Sequence, residues 1–157
     1  MEILDKLYRF KDENILISLV LSYGDGDYAK EVEDYALAKF PGKVEAIFDY
    51  MSHDDYIRYL NTVDIWILDY AGQNALGNFV RLLYLGKKIF LNEDSVMMLA
   101  SRIEALEVYK VPDIDNMTFE EFSRPIENKD INRVFAEASF DENRAIRRWK
   151  SFFKELK

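Results

Sequence analysis

A chain of 157 residues, 49% hydrophobic and 15% aromatic, holds enough apolar side chains for one ordinary core and gives no sign of two. Its formal net charge of −8 argues against nucleic acid as a partner, because binding a phosphate backbone relies on neutralisation by lysine and arginine. With no cysteine, the chain has no disulfide, no thiol catalysis and no cysteine-ligated zinc, which fits a reducing compartment.

The N-terminus, MEILDKLYRFKDEN, lacks the long apolar core of a signal peptide. No run approaches the roughly 18 apolar residues of a membrane-spanning helix, so a soluble cytoplasmic protein is expected. The apolar stretch from Asn14 to Leu21 reads as a first buried strand, closed by the turn sequence SYGDGD. Tyr28 to Phe40 keeps Val32, Tyr35, Ala36 and Lys39 on a helical period and is stopped by Pro41 and Gly42. Val44 to Phe48 is a second strand, and Asp54 to Thr62 a second helix with Ser52 as its cap.

Val63 to Asn92 then reads as strand, glycine-bearing loop, helix and strand: Asp64 to Tyr70, Gln73 to Leu85, and Lys88 to Leu91. Ser95 to Leu106 is a helix expected to turn Val96, Leu99, Ile103 and Leu106 inward, and Val108 to Val111 a fifth strand ended by Pro112. Asp113 to Asn116 is a loop, and Thr118 caps a short helix through Phe122 that Pro125 breaks. Lys129 to Ala138 and Glu142 to Leu156 close the chain as helices. Regular alternation of short strands and helices predicts an α/β fold: one domain built on a Rossmann-like, doubly wound parallel sheet of about five strands.

Ligands of open parallel sheets bind beyond the carboxyl ends of the strands. The loops there hold Ser22, Tyr23, Gly24 and Asp25; Tyr50, Met51 and Ser52; and Tyr70 to Asn74, running into Ala75, Leu76, Gly77 and Asn78. The last of these invites an anion, because N–H groups at a helix start lack internal partners and Gly72 and Gly77 permit close approach. Gln73, Asn74 and Asn78 offer amide donors, and Arg81 follows on the same helix. The plainer reading of such residues is turn chemistry. His53 is the sole histidine and sits where a helix starts, so a solvated first-turn position is expected of it rather than an imidazole base. Ile146, Trp149, Phe152, Phe153 and Leu156 form an apolar stripe opposite Arg144, Arg147, Arg148, Lys150 and Lys154. Packing is the expected use of that helix, with peripheral contact to an anionic membrane surface as the alternative.

VDIWILDYAGQNALGNFVRLLYLGKKIFLN resembles the nucleotide-sugar-binding half of GT-B glycosyltransferases. Within them the chain looks most like the bacterial TDP-N-acetylfucosamine:lipid II N-acetylfucosaminyltransferases, also called 4-alpha-L-fucosyltransferases. ILISLVLSYGD, YAKEV, KVEAIFDYMSHDDYIRYLNTVDI and QNALGN carry the likeness. It implies a C-terminal donor-binding domain of a longer enzyme that moves a deoxyamino sugar from a TDP-type nucleotide to a lipid-linked acceptor, at the inner face of the bacterial inner membrane. The acceptor would be held by an N-terminal domain upstream, and the residue that activates its hydroxyl would lie there too. In the resemblance the first loop faces the donor phosphates and cleft, the second touches the base through its backbone, and the third, from Tyr70 to Asn74, caps the pyrophosphate, with Gln73, Asn74, Ala75, Leu76 and Gly77 as its cradle. The donor is a substrate, and neither cofactor nor metal is required.

Two positions depart from the family pattern. Arg81 stands where many GT-B enzymes place a ribose-binding carboxylate, and Gly72, Gln73 and Asn74 stand where the narrower family often carries arginine before a glutamine pair. Asp25-Gly26-Asp27 resembles the DxD metal motif of the GT-A class, but in a turn opening a helix these aspartates are expected to act as caps. Two accounts from other classes compete: a flavodoxin-like or receiver-like binding module without catalysis, and a GT-B sugar-nucleotide epimerase.

Overall fold

The computed structural model describes residues 1–72, 75–142, 146 and 150. Gln73, Asn74 and most of the helix expected over 142–156 lie outside the described residues. The fold is mixed α/β with parallel strands, and it divides into two compact units. The first comprises Met1–Thr62 and Val111–Arg124, the second Val63–Lys110 and the chain from Pro125 onward.

In the first unit, β1 (Ile17–Val20) pairs in parallel with β2 (Val44–Ile47) in the register Ile17 to Val44 through Val20 to Ile47. The expected strand from Asn14 is shorter because Ile15 N–H turns back to the Glu13 carbonyl at 3.0 Å. It is also less buried than expected: three of its residues are half-buried and Val20 is exposed. A continuous apolar run suits a central strand, whereas each strand of a two-stranded ladder is an edge.

Helix α2 (Gly26–Lys39) follows β1 and α3 (His53–Thr62) follows β2. Val32, Tyr35, Ala36 and Lys39 form the half-buried to buried stripe expected of α2. Sequence reading assigned no element to the N-terminus, yet Glu2–Leu7 is a helix, α1, continued by a helical turn at Tyr8–Phe10. Its signal was present, since Leu4, Leu7 and Phe10 recur on one helical face and all are buried. Asp5 ties α1 to α2 by accepting from Tyr35 Oη at 2.5 Å and from Lys39 Nζ. The hydrogen bond from Lys39, aided by that from Tyr35, holds the Asp5 carboxyl below the usual aspartate range. The unit closes with a helical turn over Val111–Asn116, where a loop was expected, and α6 (Phe119–Ser123). Thr118 opens α6 with a capping box, its Oγ1 accepting from Glu121 N–H at 3.2 Å while its own N–H donates to Glu121 Oε2 at 2.8 Å. Phe122 stacks on Phe10 with ring centroids 4.9 Å apart.

In the second unit, β3 (Ile65–Leu68), β4 (Lys88–Leu91) and β5 (Tyr109–Lys110) form a parallel ladder with β4 in the centre. All of β4 is buried, as befits a strand flanked on both sides. The five strands thus lie where the sequence places them, but their ladders make two small sheets, of two and three strands, rather than one of five. Strands of four residues or fewer make only short ladders.

Helix α4 (Leu76–Tyr84) packs Phe79, Val80, Leu82 and Leu83 inward, and α7 (Lys129–Phe140) packs against it. The expected inner face of α5 (Val96–Ile103) is corrected. Val96, Leu99 and Ile103 are exposed at 45%, 58% and 73%, while Met97, Met98 and Ser101 are buried; only Leu106, past the helix end, turns inward as expected. VMML is apolar on every side, so periodicity alone could not choose the face. The buried Ser95 cap, which accepts from Met98 N–H at 3.1 Å, fixes the rotation.

Two helix ends in this unit show the same closure with different residues. After α4, Gly86 N–H bonds to Leu83 O and Lys87 N–H to Leu82 O, both at 3.1 Å, with Gly86 at φ +64°. After α5, Leu106 N–H bonds to Ser101 O at 2.9 Å, and the left-handed position is taken by Ala105 at φ +55°. An alanine there carries steric cost that glycine lacks. Ala105→Gly is therefore expected to raise stability by about 0.5–1 kcal/mol, read as a higher urea midpoint at unchanged m-value. A lowered midpoint would show that the closure carries no strain.

Candidate functional site

The N-terminus of α4 lacks the side-chain cap that four other helix starts carry, as do those of α1 and α7. Asp25, Ser52, Ser95 and Thr118 each accept from a first-turn N–H of the helix they precede. Ala75 occupies that place before α4, in the left-handed conformation at φ +63°, with no side-chain cap among the described residues and no acidic residue in the first turn. A left-handed alanine is a local cost of the kind found where a loop is shaped for use.

Arg81 bends back toward this turn. Its Nη1 lies 3.5 Å from Asn78 Oδ1, and a Cβ at position 77 would stand 3.5 Å from the same nitrogen. The guanidinium therefore borders position 77 at ordinary van der Waals distance, beside the first turn. A full positive charge is added to the roughly half charge of the helix end. Tyr70, which leads into the loop, buries its hydroxyl without a hydrogen-bond partner among the described residues, and burial pushes its pKa up. Of the residues expected to cap a pyrophosphate, Ala75, Leu76, Gly77 and Asn78 thus stand at one uncapped helix start, with Gly72 exposed in the loop before them. Gln73 and Asn74 are outside the described residues.

The carboxyl edge of this sheet also holds residues that sequence reading passed over. Asn92 Nδ2 donates to Asp69 Oδ1 at 2.9 Å across the ends of β3 and β4, and Lys110 Nζ lies 3.6 Å from Glu93 Oε2 across those of β4 and β5. The signal was available, since Asp69, Asn92 and Glu93 directly follow strands.

In the first unit, Ser22, Tyr23, Gly24 and Asp25 follow β1, and Tyr50, Met51 and Ser52 follow β2, as expected. Asp25 is a cap, accepting from Tyr28 N–H at 3.0 Å, which is the role read for it against the metal motif. Ser52 caps α3, accepting from Asp55 N–H at 3.2 Å and donating to Asp55 Oδ2 at 2.6 Å. His53 is a solvated first-turn residue with its side chain 69% exposed and Nδ1 3.6 Å from Asp54. Neither loop carries lysine or arginine, and aspartates flank both, at Asp27 after the first and at Asp49, Asp54 and Asp55 around the second.

Among the described residues no group of three potential ligands is gathered for a metal, and no helix is long and apolar enough to cross a membrane. Comparison of the chain with protein-family models, curated proteins and solved structures finds no match.

Proposed function

We propose that the second unit binds the diphosphate of a nucleotide-sugar at the N-terminus of α4, as part of the Rossmann-like donor half of a GT-B glycosyltransferase. More narrowly, the donor is a TDP-linked deoxyamino sugar such as N-acetylfucosamine and the acceptor is lipid-linked. The observation that carries the reading is the return of Arg81 to the uncapped first turn at Gly77. The departure from the usual ribose-binding carboxylate then has a chemical sense, because a cation at that place supports phosphate.

The chemistry asked of these residues is electrostatic. As the glycosidic bond to the donor breaks, negative charge grows on the departing diphosphate, and oriented N–H groups with a guanidinium stabilise it. A lone donor domain makes only a few such contacts and should bind weakly, with Kd on the order of 1 mM. Arg81→Gln is expected to weaken TDP binding about tenfold while leaving the thermal midpoint within a few degrees. Isothermal titration of both proteins with TDP decides it. Affinity unchanged within about twofold would remove Arg81, and the anion site built on it, from the reading.

A further inference from the structure

Residues 22–29 and 48–57, SYGDGDYA and FDYMSHDDYI, leave the carboxyl ends of β1 and β2 and open α2 and α3. They contain five exposed aspartates, Asp25, Asp27, Asp49, Asp54 and Asp55, and neither lysine nor arginine. Set among them are aromatic side chains turned to water: Tyr23 is 75% exposed, Tyr50 78%, Tyr28 56% and Phe48 43%. Tyr23 and Tyr50 extend from paired strands and meet edge to face, their centroids 6.1 Å and their planes 86° apart. The edge-to-face contact holds the two rings together, with much of each still turned to water.

Not all of the negative charge is engaged. Asp25 caps α2, Asp55 accepts from Ser52 and from Arg58 Nη1 at 2.8 Å, and Asp54 lies beside His53. Asp27 and Asp49 have no partner among the described residues. Aromatic surface collected at one edge marks an interaction site, and unneutralised carboxylates around it select against anions and for cations. Two cationic side chains compete for such a place. An ammonium satisfies the charge alone, whereas a guanidinium also lies flat on a ring and presents paired N–H groups to a carboxylate.

We propose that this edge of the first unit docks an arginine-bearing segment of a partner protein, with guanidinium groups stacked on Tyr23 and Tyr50 and paired with Asp27 and Asp49. The inference is independent of the nucleotide site, which belongs to the second unit and attracts the opposite charge. The edge is complementary to a basic partner in sign.

The test uses the full chain and two labelled peptides of equal length, one of alternating glycine and arginine and one of alternating glycine and lysine, followed by fluorescence anisotropy near 0.15 M salt. The arginine peptide is expected to bind about tenfold more tightly than the lysine peptide. Tyr23→Ser with Tyr50→Ser should erase that preference, and both rings are exposed enough for the change to leave folding intact. Asp27→Asn with Asp49→Asn should weaken both peptides. Equal affinity for the two peptides, unaffected by the tyrosine changes, would reduce the edge to diffuse attraction by a chain of net charge −8 and overturn the proposal. Absence of binding, or stronger binding of an uncharged oligosaccharide, would overturn it as well.

Discussion

Replacing Asn132 with leucine is expected to lower the unfolding free energy by about 3 kcal/mol, a large share of what a domain of this size possesses. Asn132 is fully buried in α7, and its amide grips the backbone of Glu107 from both sides. Oδ1 accepts from Glu107 N–H at 2.8 Å, and Nδ2 donates to Glu107 O at 3.0 Å. Leucine is nearly the same size but leaves both backbone groups without a partner in a place where water does not replace it. The loss extends further, because the Glu107 carboxylate so positioned accepts from Glu127 N–H at 3.0 Å, Asn128 N–H at 2.5 Å and Tyr109 Oη at 3.0 Å. That set seats the start of α7 beside β5 within the second unit. Urea denaturation should show the fall in midpoint, and amide exchange at Glu107 should accelerate. A loss below about 1 kcal/mol would mean that the clamp is replaceable by packing alone.

Gly86→Val should cost about 2 kcal/mol for a backbone reason rather than a packing one. Gly86 closes α4 at φ +64°, a conformation that a β-branched residue adopts only as an outlier. A Cβ there would also stand 3.1 Å from Lys129 Cδ and 3.3 Å from Cγ. The lysine stem is flexible and can yield, so the greater part of the cost lies in the dihedral angle. Gly86→Ala isolates what a bare Cβ costs at this φ and against Lys129, leaving the β-branching to valine alone. Calorimetry on the pair should place alanine between wild type and valine. A valine variant as stable as wild type would show that α4 can end in another way.

Local chemistry was the part of this fold that could be read directly. Asp25, Ser52 and Thr118 cap helices through residues three positions on, so their partners are visible in the sequence itself, and the apolar run Ile89 to Leu91 was enough to mark β4. Orientation was harder. Val96, Leu99 and Ile103 have helical spacing as good as that of Met97 and Ser101, and which face turned inward depended on neighbours far along the chain. Asn132 and Glu107 are 25 positions apart, and an asparagine near a helix start gives no hint that it will be the most completely buried polar residue. The candidate site was legible in part. Gly77 could be read from the sequence, whereas a helix expected from Gln73 hid that Ala75 is the residue preceding its first turn. The return of Arg81 toward Gly77 follows from their four-residue spacing only once the rotamer is known. Asp69 and Asn92 meet because two short strands end side by side.

The account turns on whether anionic phosphate is drawn to the start of α4, and a titration of the isotope-labelled chain with inorganic pyrophosphate, followed through amide chemical shifts, tests this most directly. The predicted result is that the amides of Leu76, Gly77 and Asn78 move first and furthest, reach half-saturation at about 1 mM, and need roughly tenfold more pyrophosphate in Arg81→Gln. Amides at 76–78 that stay still up to about 10 mM pyrophosphate, whatever moves elsewhere, would contradict the nucleotide-sugar reading.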